Sequence, residues 1–110
     1  MAAICIRDDR TWKCANWVYE GVCEAAQNHL QPNSMISLRI DESLESRVHY
    51  LDITDLSTEA ISDFHQSVEK GLRDIKDKGD IAFALPECYP QFIAMSDELM
   101  FMLSSCLASK

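Results

Sequence analysis

Hydrophobic and polar residues alternate along this chain with two different periods, and the periods predict where its elements lie. Apolar residues at every second position indicate a strand with one buried face, whereas apolar residues every three or four positions indicate an amphipathic helix. By this criterion strands are expected at 2–7, 34–41, 47–54 and 80–86, and helices at 10–30, 55–79 and 88–110.

The segment 34–41 shows the cleanest alternation of the chain. Ile36, Leu38 and Ile40 fall on one face of a strand, and polar residues fall on the other. This pattern predicts a half-buried strand. The polar stretch after it has the length of a hairpin connection, so 47–54 is expected to be the next strand.

The segment 55–79 is the clearest helix. Asp55 or Ser57 can cap its N-terminus, and Gly79 can supply the left-handed residue at its C-terminus. Asp8 or Asp9 is expected to cap the earlier helix in the same way. The apolar stripe of the 55–79 helix consists of Ile61, Phe64, Val68, Leu72 and Ile75.

The last helix, 88–110, is apolar almost all round. A helix of this kind is either deeply packed or shared with a partner. Met100 and Phe101 suit a core position and a contact with another molecule equally well. A homodimer formed through this C-terminal helix is one interpretation of its surface.

The order of these elements is β-α-β-β-α-β followed by a helix. It predicts an α+β fold, a ferredoxin-like two-layer sandwich with an additional C-terminal helix. Should the first strand not form, the expectation becomes a three-stranded α/β sandwich around the same core. Three glycines and three prolines leave no linker, so residues 1–110 are expected to form a single domain.

The charge of the chain excludes two classes of partner. Eighteen acidic residues against ten basic ones give a formal net charge of −8, and the pI is near 4.7. Proteins that bind nucleic acid or anionic membranes gather Lys and Arg on one face. We therefore expect no nucleic-acid and no membrane partner.

The cysteines and the N-terminus point to the cytoplasm. Five cysteines, an odd number, and a start without a cationic and apolar leader favour free thiols in a reducing compartment. The most apolar stretch, residues 91–107, contains Asp97 and Glu98, so it is not expected to span a membrane.

Candidate chemistry is sparse. His49 and His65 with Asp52 could make a carboxylate-supported base, and Cys88 is the best candidate for a reactive thiol. A metal site could combine the two histidines with Asp63 and a cysteine, but these ligands lack the close pairing typical of zinc sites. We expect no cofactor and no enzymatic activity, and a small enzyme built on these residues remains an alternative.

Acidic residues crowd the middle of the chain. Residues 41–63 hold seven carboxylates and one arginine, a net charge of −6, which leaves −2 for the other 87 residues. Caps and turns explain some of these carboxylates, so a solvated face and a recognition surface both stay open. The predicted partner-binding residues are Asp41, Glu42, Glu45, Asp52, Asp55, Glu59 and Asp63, with Tyr50 as an aromatic anchor.

A short, acidic α/β chain without a catalytic or cofactor motif resembles the immunity proteins that neutralise bacterial toxins. The resemblance implies an inhibitor that covers or distorts a basic toxin domain, for example a nuclease domain. It carries no residue pattern, so it assigns no positions. An oligomeric ligand-binding or regulatory domain, with the last helix at the subunit interface, is the other alternative.

Overall fold

The chain begins with a short hairpin and continues into helices that cover one side of it. The computed structural model describes residues 1–83 and 85–108. In chain order the elements are β1 (Ala2–Arg7), β2 (Arg10–Cys14), α1 (Asn16–Gln27), α2 (Met35–Ser46), β3 (Tyr50–Asp52), α3 (Thr58–Lys78), a 3-10 turn (Gly79–Ala82) and α4 (Cys88–Ala108).

The sheet is mixed, in the order β2-β1-β3. β1 pairs with β2 in antiparallel orientation and with β3 in parallel orientation. Ile4 of β1 lies between Trp12 of β2 and Leu51 of β3, and all three side chains are buried. Buried and half-buried residues alternate along β1, so one face of the sheet carries the core.

The helices pack closely on that face. A Cβ atom on Gly71 of α3 would lie 2.6 Å from the carbonyl oxygen of Ala25 in α1, so only glycine permits this contact. Trp12 Nε1–H donates a 2.9 Å hydrogen bond to the Met95 carbonyl of α4. Arg7 Nη2 donates to the Cys106 carbonyl, also at 2.9 Å. Side chains from both strands of the hairpin therefore hold α4.

The α+β class is confirmed, and so are the first strand and the helices predicted at 55–79 and toward the C-terminus. Ser57 is the cap of α3, because its side chain accepts a 3.1 Å hydrogen bond from the Ala60 N–H. Gly79 ends this helix with a φ of 69°. The capping residues and the apolar stripe were sufficient to locate this element.

The helix predicted from residue 10 is wrong at its start. Residues Arg10–Cys14 form β2, and the helix begins only at Asn16, with Ala15 at the cap in place of Asp8 or Asp9. Trp12 and Cys14 are buried and their neighbours are more exposed, which is the period of a strand. The two aspartates instead form the turn that brings β2 back along β1.

The strand predicted at 34–41 is also wrong, because the segment belongs to α2. Ser34 caps this helix by accepting a 3.2 Å hydrogen bond from the Ser37 N–H. Ile36 and Ile40 are buried four residues apart, whereas Leu38 is 54% exposed. Ile36 and Ile40, four residues apart, fit both periods, whereas Leu38 fits only a strand, and its exposure therefore distinguishes the two.

The ferredoxin-like order is not confirmed. The predicted strand at 47–54 is limited to Tyr50–Asp52, and the one at 80–86 is replaced at its start by the 3-10 turn Gly79–Ala82, with residue 84 outside the described residues. The structure has β2 as an additional strand and has the helix α2 in place of a predicted strand. The described part of the chain therefore runs β-β-α-α-β-α-α.

Candidate functional site

A groove runs between α2 and β3 on the side of β3 that faces away from β1. Its volume is about 360 Å³. Four residues of α2 form one wall, and four residues in and before β3 form the other. The lining residues are Arg39, Glu42, Ser43, Ser46, Val48, Tyr50, Leu51 and Asp52.

Three of the predicted partner-binding residues meet in this groove. Glu42 comes from α2, whereas Tyr50 and Asp52 come from β3, and all three are exposed. Apolar surface adjoins these carboxylates, because Val48 is 55% exposed and Tyr50 is 49% exposed. The fold therefore brings Glu42 next to Tyr50 and Asp52, which follow it by eight and ten positions in the sequence.

The other predicted residues lie outside this groove. Asp41 accepts a hydrogen bond from the Gln27 side chain of α1, and Glu45 is exposed on α2. Glu59 lies in the first turn of α3. Asp63 lines a different depression, between α3 and the loop after α1. The acidic segment is thus divided, and only part of it borders the groove.

Asp55 is tied to Arg39 at one end of the groove. Arg39 Nη1 and Nη2 donate to the two carboxylate oxygens of Asp55 at 2.7 and 2.8 Å. Hydrogen bonding from Arg39 lowers the pKa of Asp55 to about 2, and the same pairing raises the pKa of Arg39. Arg39 Nη1 also donates to the Asp52 carbonyl at 2.9 Å. This fork fixes α2 relative to β3.

A buried polar chain fixes the other end. The Tyr19 hydroxyl of α1 hydrogen-bonds to the Ser43 hydroxyl, which in turn donates to the Val48 carbonyl. Tyr19 is fully buried, and desolvation raises the pKa of its hydroxyl well above the ordinary value. Because a buried hydroxyl needs a partner, this chain links α1, α2 and the start of β3.

The side chain of Tyr50 lies beside the sheet. A hydrogen bond between its hydroxyl and the Cys5 side chain of β1 raises the pKa of Tyr50. Tyr50 and Ala3 lie opposite each other in the ladder of β1 and β3. The ring is therefore oriented by β1 while about half of it stays open to solvent.

The candidate catalytic residues bond to separate parts of the chain. His49 Nε2 contacts Glu20 Oε1 of α1 at 2.8 Å, and His65 Nε2 contacts Ser104 Oγ of α4 at 3.0 Å. Asp52 accepts hydrogen bonds from the backbone and hydroxyl of Thr54. These three side chains form no hydrogen-bonded triad. Cys88 lies at the start of α4 and is half-buried.

The metal hypothesis finds no support in the described residues. Within the ranges 1–83 and 85–108, no three His, Cys, Asp or Glu side chains come close enough together to hold a metal ion. His29, the remaining histidine, instead contacts Asp74 of α3 at 2.7 Å.

The last helix is mainly a core element. Phe92, Leu99 and Leu103 are fully buried, and Met100 is packed against the core, whereas Phe101 is 71% exposed. Most of the apolar surface that suggested a shared helix is therefore covered within the chain. Among residues 1–83 and 85–108, none of the helices has both the length and the apolar character of a membrane span.

A larger depression, with a volume of about 710 Å³, lies between α1 and α3. Ile75, Phe83 and Phe92 form its apolar floor, with carboxylates of both helices at its rim. Phe92 belongs to the core, and its ring carbon lies only 2.7 Å from where a Cβ of Gly21 would stand. The sequence pattern did not reveal this depression, because its floor residues also form an ordinary core stripe.

Comparison with known proteins leaves the geometry as the only guide to function. No protein-family model matches the chain, and the searches of curated proteins and of solved structures return no significant match.

Proposed function

We propose that this chain is a protein-binding module that neutralises a basic partner, such as a toxin or nuclease domain, in the manner of an immunity protein, and that it acts in the cytoplasm. The observation that carries the proposal is the meeting of Glu42, Tyr50 and Asp52 along one groove. The Asp52 carboxylate also stabilises the turn after β3 by accepting hydrogen bonds from Thr54, whereas the Glu42 side chain is in no hydrogen bond among the described residues.

The chemistry of the groove suits recognition of a cationic protein surface. Exposed carboxylates attract a basic partner over about 8 Å at physiological ionic strength and so speed its encounter. An exposed tyrosine beside an apolar side chain supplies the contact area that frequently dominates interface energy. Tyr50 and Val48 therefore provide the anchor, and Glu42 with Asp52 provides the charge.

The proposal is tested by affinity capture with charge-matched variants. The wild-type chain, the double variant Glu42→Lys and Glu45→Lys, and the control Glu87→Lys and Glu98→Lys are immobilised and exposed to lysate of the cells that produce the protein. Both double variants change the net charge equally, but Glu87 lies just before α4 and Glu98 lies within it. Bound proteins are then identified by mass spectrometry.

We expect wild type and control to retain a protein of pI above about 9, and the Glu42→Lys and Glu45→Lys variant to recover roughly a tenth as much. The purified partner should lose its own activity when the wild-type chain is added. Equal recovery by both double variants would show that total charge, and not this surface, governs binding. A captured partner that keeps its full activity would contradict the inhibitory role.

A further inference from the structure

β3 uses only every second residue to bond to β1. The Ala3 N–H donates to the His49 carbonyl at 3.0 Å, and the Ile53 N–H donates to the Cys5 carbonyl at 3.0 Å. Leu51 lies opposite Ile4 of β1 and is the bonding residue between His49 and Ile53. Because bonding and non-bonding residues alternate along a ladder, the residues on either side of Leu51 present their backbone groups to the outer edge.

The outward-facing backbone groups belong to Tyr50 and Asp52. Two of the four already have partners, since the Tyr50 N–H donates to the Val48 carbonyl at 2.8 Å and Arg39 Nη1 donates to the Asp52 carbonyl at 2.9 Å. The other two are the Tyr50 carbonyl and the Asp52 N–H. Neither has a hydrogen-bond partner in the part of the chain that the structure describes. One acceptor and one donor therefore face the groove.

We propose that the outer edge of β3 receives an extended segment of the basic partner as an added strand. An acceptor and a donor two residues apart on an exposed edge are the pair that a neighbouring strand uses in a sheet. The groove leaves about 360 Å³ along this edge between the Arg39 fork and the Ser43 chain, so only the middle of the added segment pairs with Tyr50 and Asp52. This inference rests on the proposed function and specifies how the partner binds.

The side chains of the groove select a segment of alternating character. Successive side chains of an added strand point to opposite faces of the sheet. Basic residues on the face shared with Tyr50 and Asp52 would meet the Asp52 carboxylate, and residues on the opposite face, where Leu51 is buried, would be apolar. Backbone pairing supplies affinity in such an arrangement, and these side chains supply specificity.

A pair of variants at one position isolates the backbone donor. Asp52→Ala removes the carboxylate and keeps the N–H, whereas Asp52→Pro removes both. Proline is tolerated on an edge strand when its missing N–H faces away from the sheet, as it does here. We expect the proline variant to bind the captured partner at least about tenfold more weakly than the alanine variant.

A peptide probe tests the same bond in the wild-type chain, so the test does not depend on the folding of a variant. The probe is a blocked seven-residue peptide of alternating Lys and Val. Two analogues carry backbone N-methyl groups, one on all lysines and one on all valines. At about 1 mM, we expect the parent peptide to shift the Asp52 amide resonance and slow its hydrogen exchange about tenfold.

Both analogues keep the charge of the parent peptide. Only the analogue that is methylated at the N–H groups facing β3 should lose this effect, because it can no longer donate to the Tyr50 carbonyl. If both analogues act like the parent peptide, or if none of the three affects Asp52, strand addition is overturned. Affinity capture with the Glu42→Lys and Glu45→Lys variant then decides separately whether the acidic surface binds a basic partner by another geometry.

Discussion

The contact between α1 and α3 and the groove between α2 and β3 use their residues in opposite ways. Between α1 and α3, Gly71 lies against the Ala25 backbone, and the apolar residues of α3 that face inward are buried. Around α2 and β3, Leu38, Val48 and Tyr50 stay about half exposed. The two helices touch at Gly71, although the 710 Å³ depression opens beside that contact, whereas the groove keeps apolar and acidic side chains at its surface.

This difference separates what the fold needs from what it leaves available. A backbone contact through glycine tolerates no added atom, so packing dictates which residue can stand at that position. The groove is held by two polar anchors beneath and beside it, the Ser43 chain and the Arg39–Asp55 fork. Its outer side chains contribute little to these anchors, so they are free to serve recognition.

The largest effect is expected when the closed contact is broken. Gly71→Val places a branched side chain where even a Cβ would lie 2.6 Å from the Ala25 carbonyl oxygen. Since the obstacle is backbone, α1 and α3 must separate, and we expect a loss of about 3 kcal/mol in the free energy of unfolding. Urea denaturation followed by circular dichroism measures this change.

Lys70→Val is the matched control for this variant. Lys70 is exposed on the same helix, so it introduces the same residue without the clash and should cost only about 0.5 kcal/mol of helix propensity. If the two variants unfold at the same urea concentration, the close approach of α1 and α3 is not a stabilising feature.

A smaller effect is expected at the polar chain that connects the two regions. Ser43→Ala leaves the buried Tyr19 hydroxyl and the Val48 carbonyl without their shared partner, which should cost about 2 kcal/mol. Tyr19→Phe alone should cost about 1 kcal/mol. The double variant should cost less than the sum of the two, because both changes remove the same bond. Strict additivity would show that the two hydroxyls do not depend on each other.

The same two regions differ in how well the sequence predicted them. α3 was located because Ser57, the apolar stripe and Gly79 all indicate one helix. The segment of α2 predicts a strand because Ile36 and Ile40 fit both periods, and Leu38 between them fits only the strand. Predicting the helix requires the capping bond that the Ser37 N–H donates to Ser34 Oγ, which a serine at this position permits but does not prove.

The candidate site was predicted only in part for a related reason. Charge density along the chain identified Glu42 and Asp52, since it needs no three-dimensional information. It could not separate them from Asp55, which forms an ion pair with Arg39, or from Asp63, which lines a different depression beside α3. The backbone groups of Tyr50 and Asp52 were beyond prediction, because their direction depends on which strand lies beside β3.

The smallest effect is expected at the groove itself. Glu42→Gln and Val48→Ser change exposed side chains that belong to neither polar anchor, so each should alter the free energy of unfolding by less than about 0.5 kcal/mol. Leu51→Ser is the control, because it changes a buried residue of the same groove wall and should cost at least about 2 kcal/mol. Urea denaturation of the three variants makes the comparison. If Glu42→Gln or Val48→Ser destabilised the chain as much as Leu51→Ser, that side chain would be needed for folding, and its exposure would no longer argue for a partner.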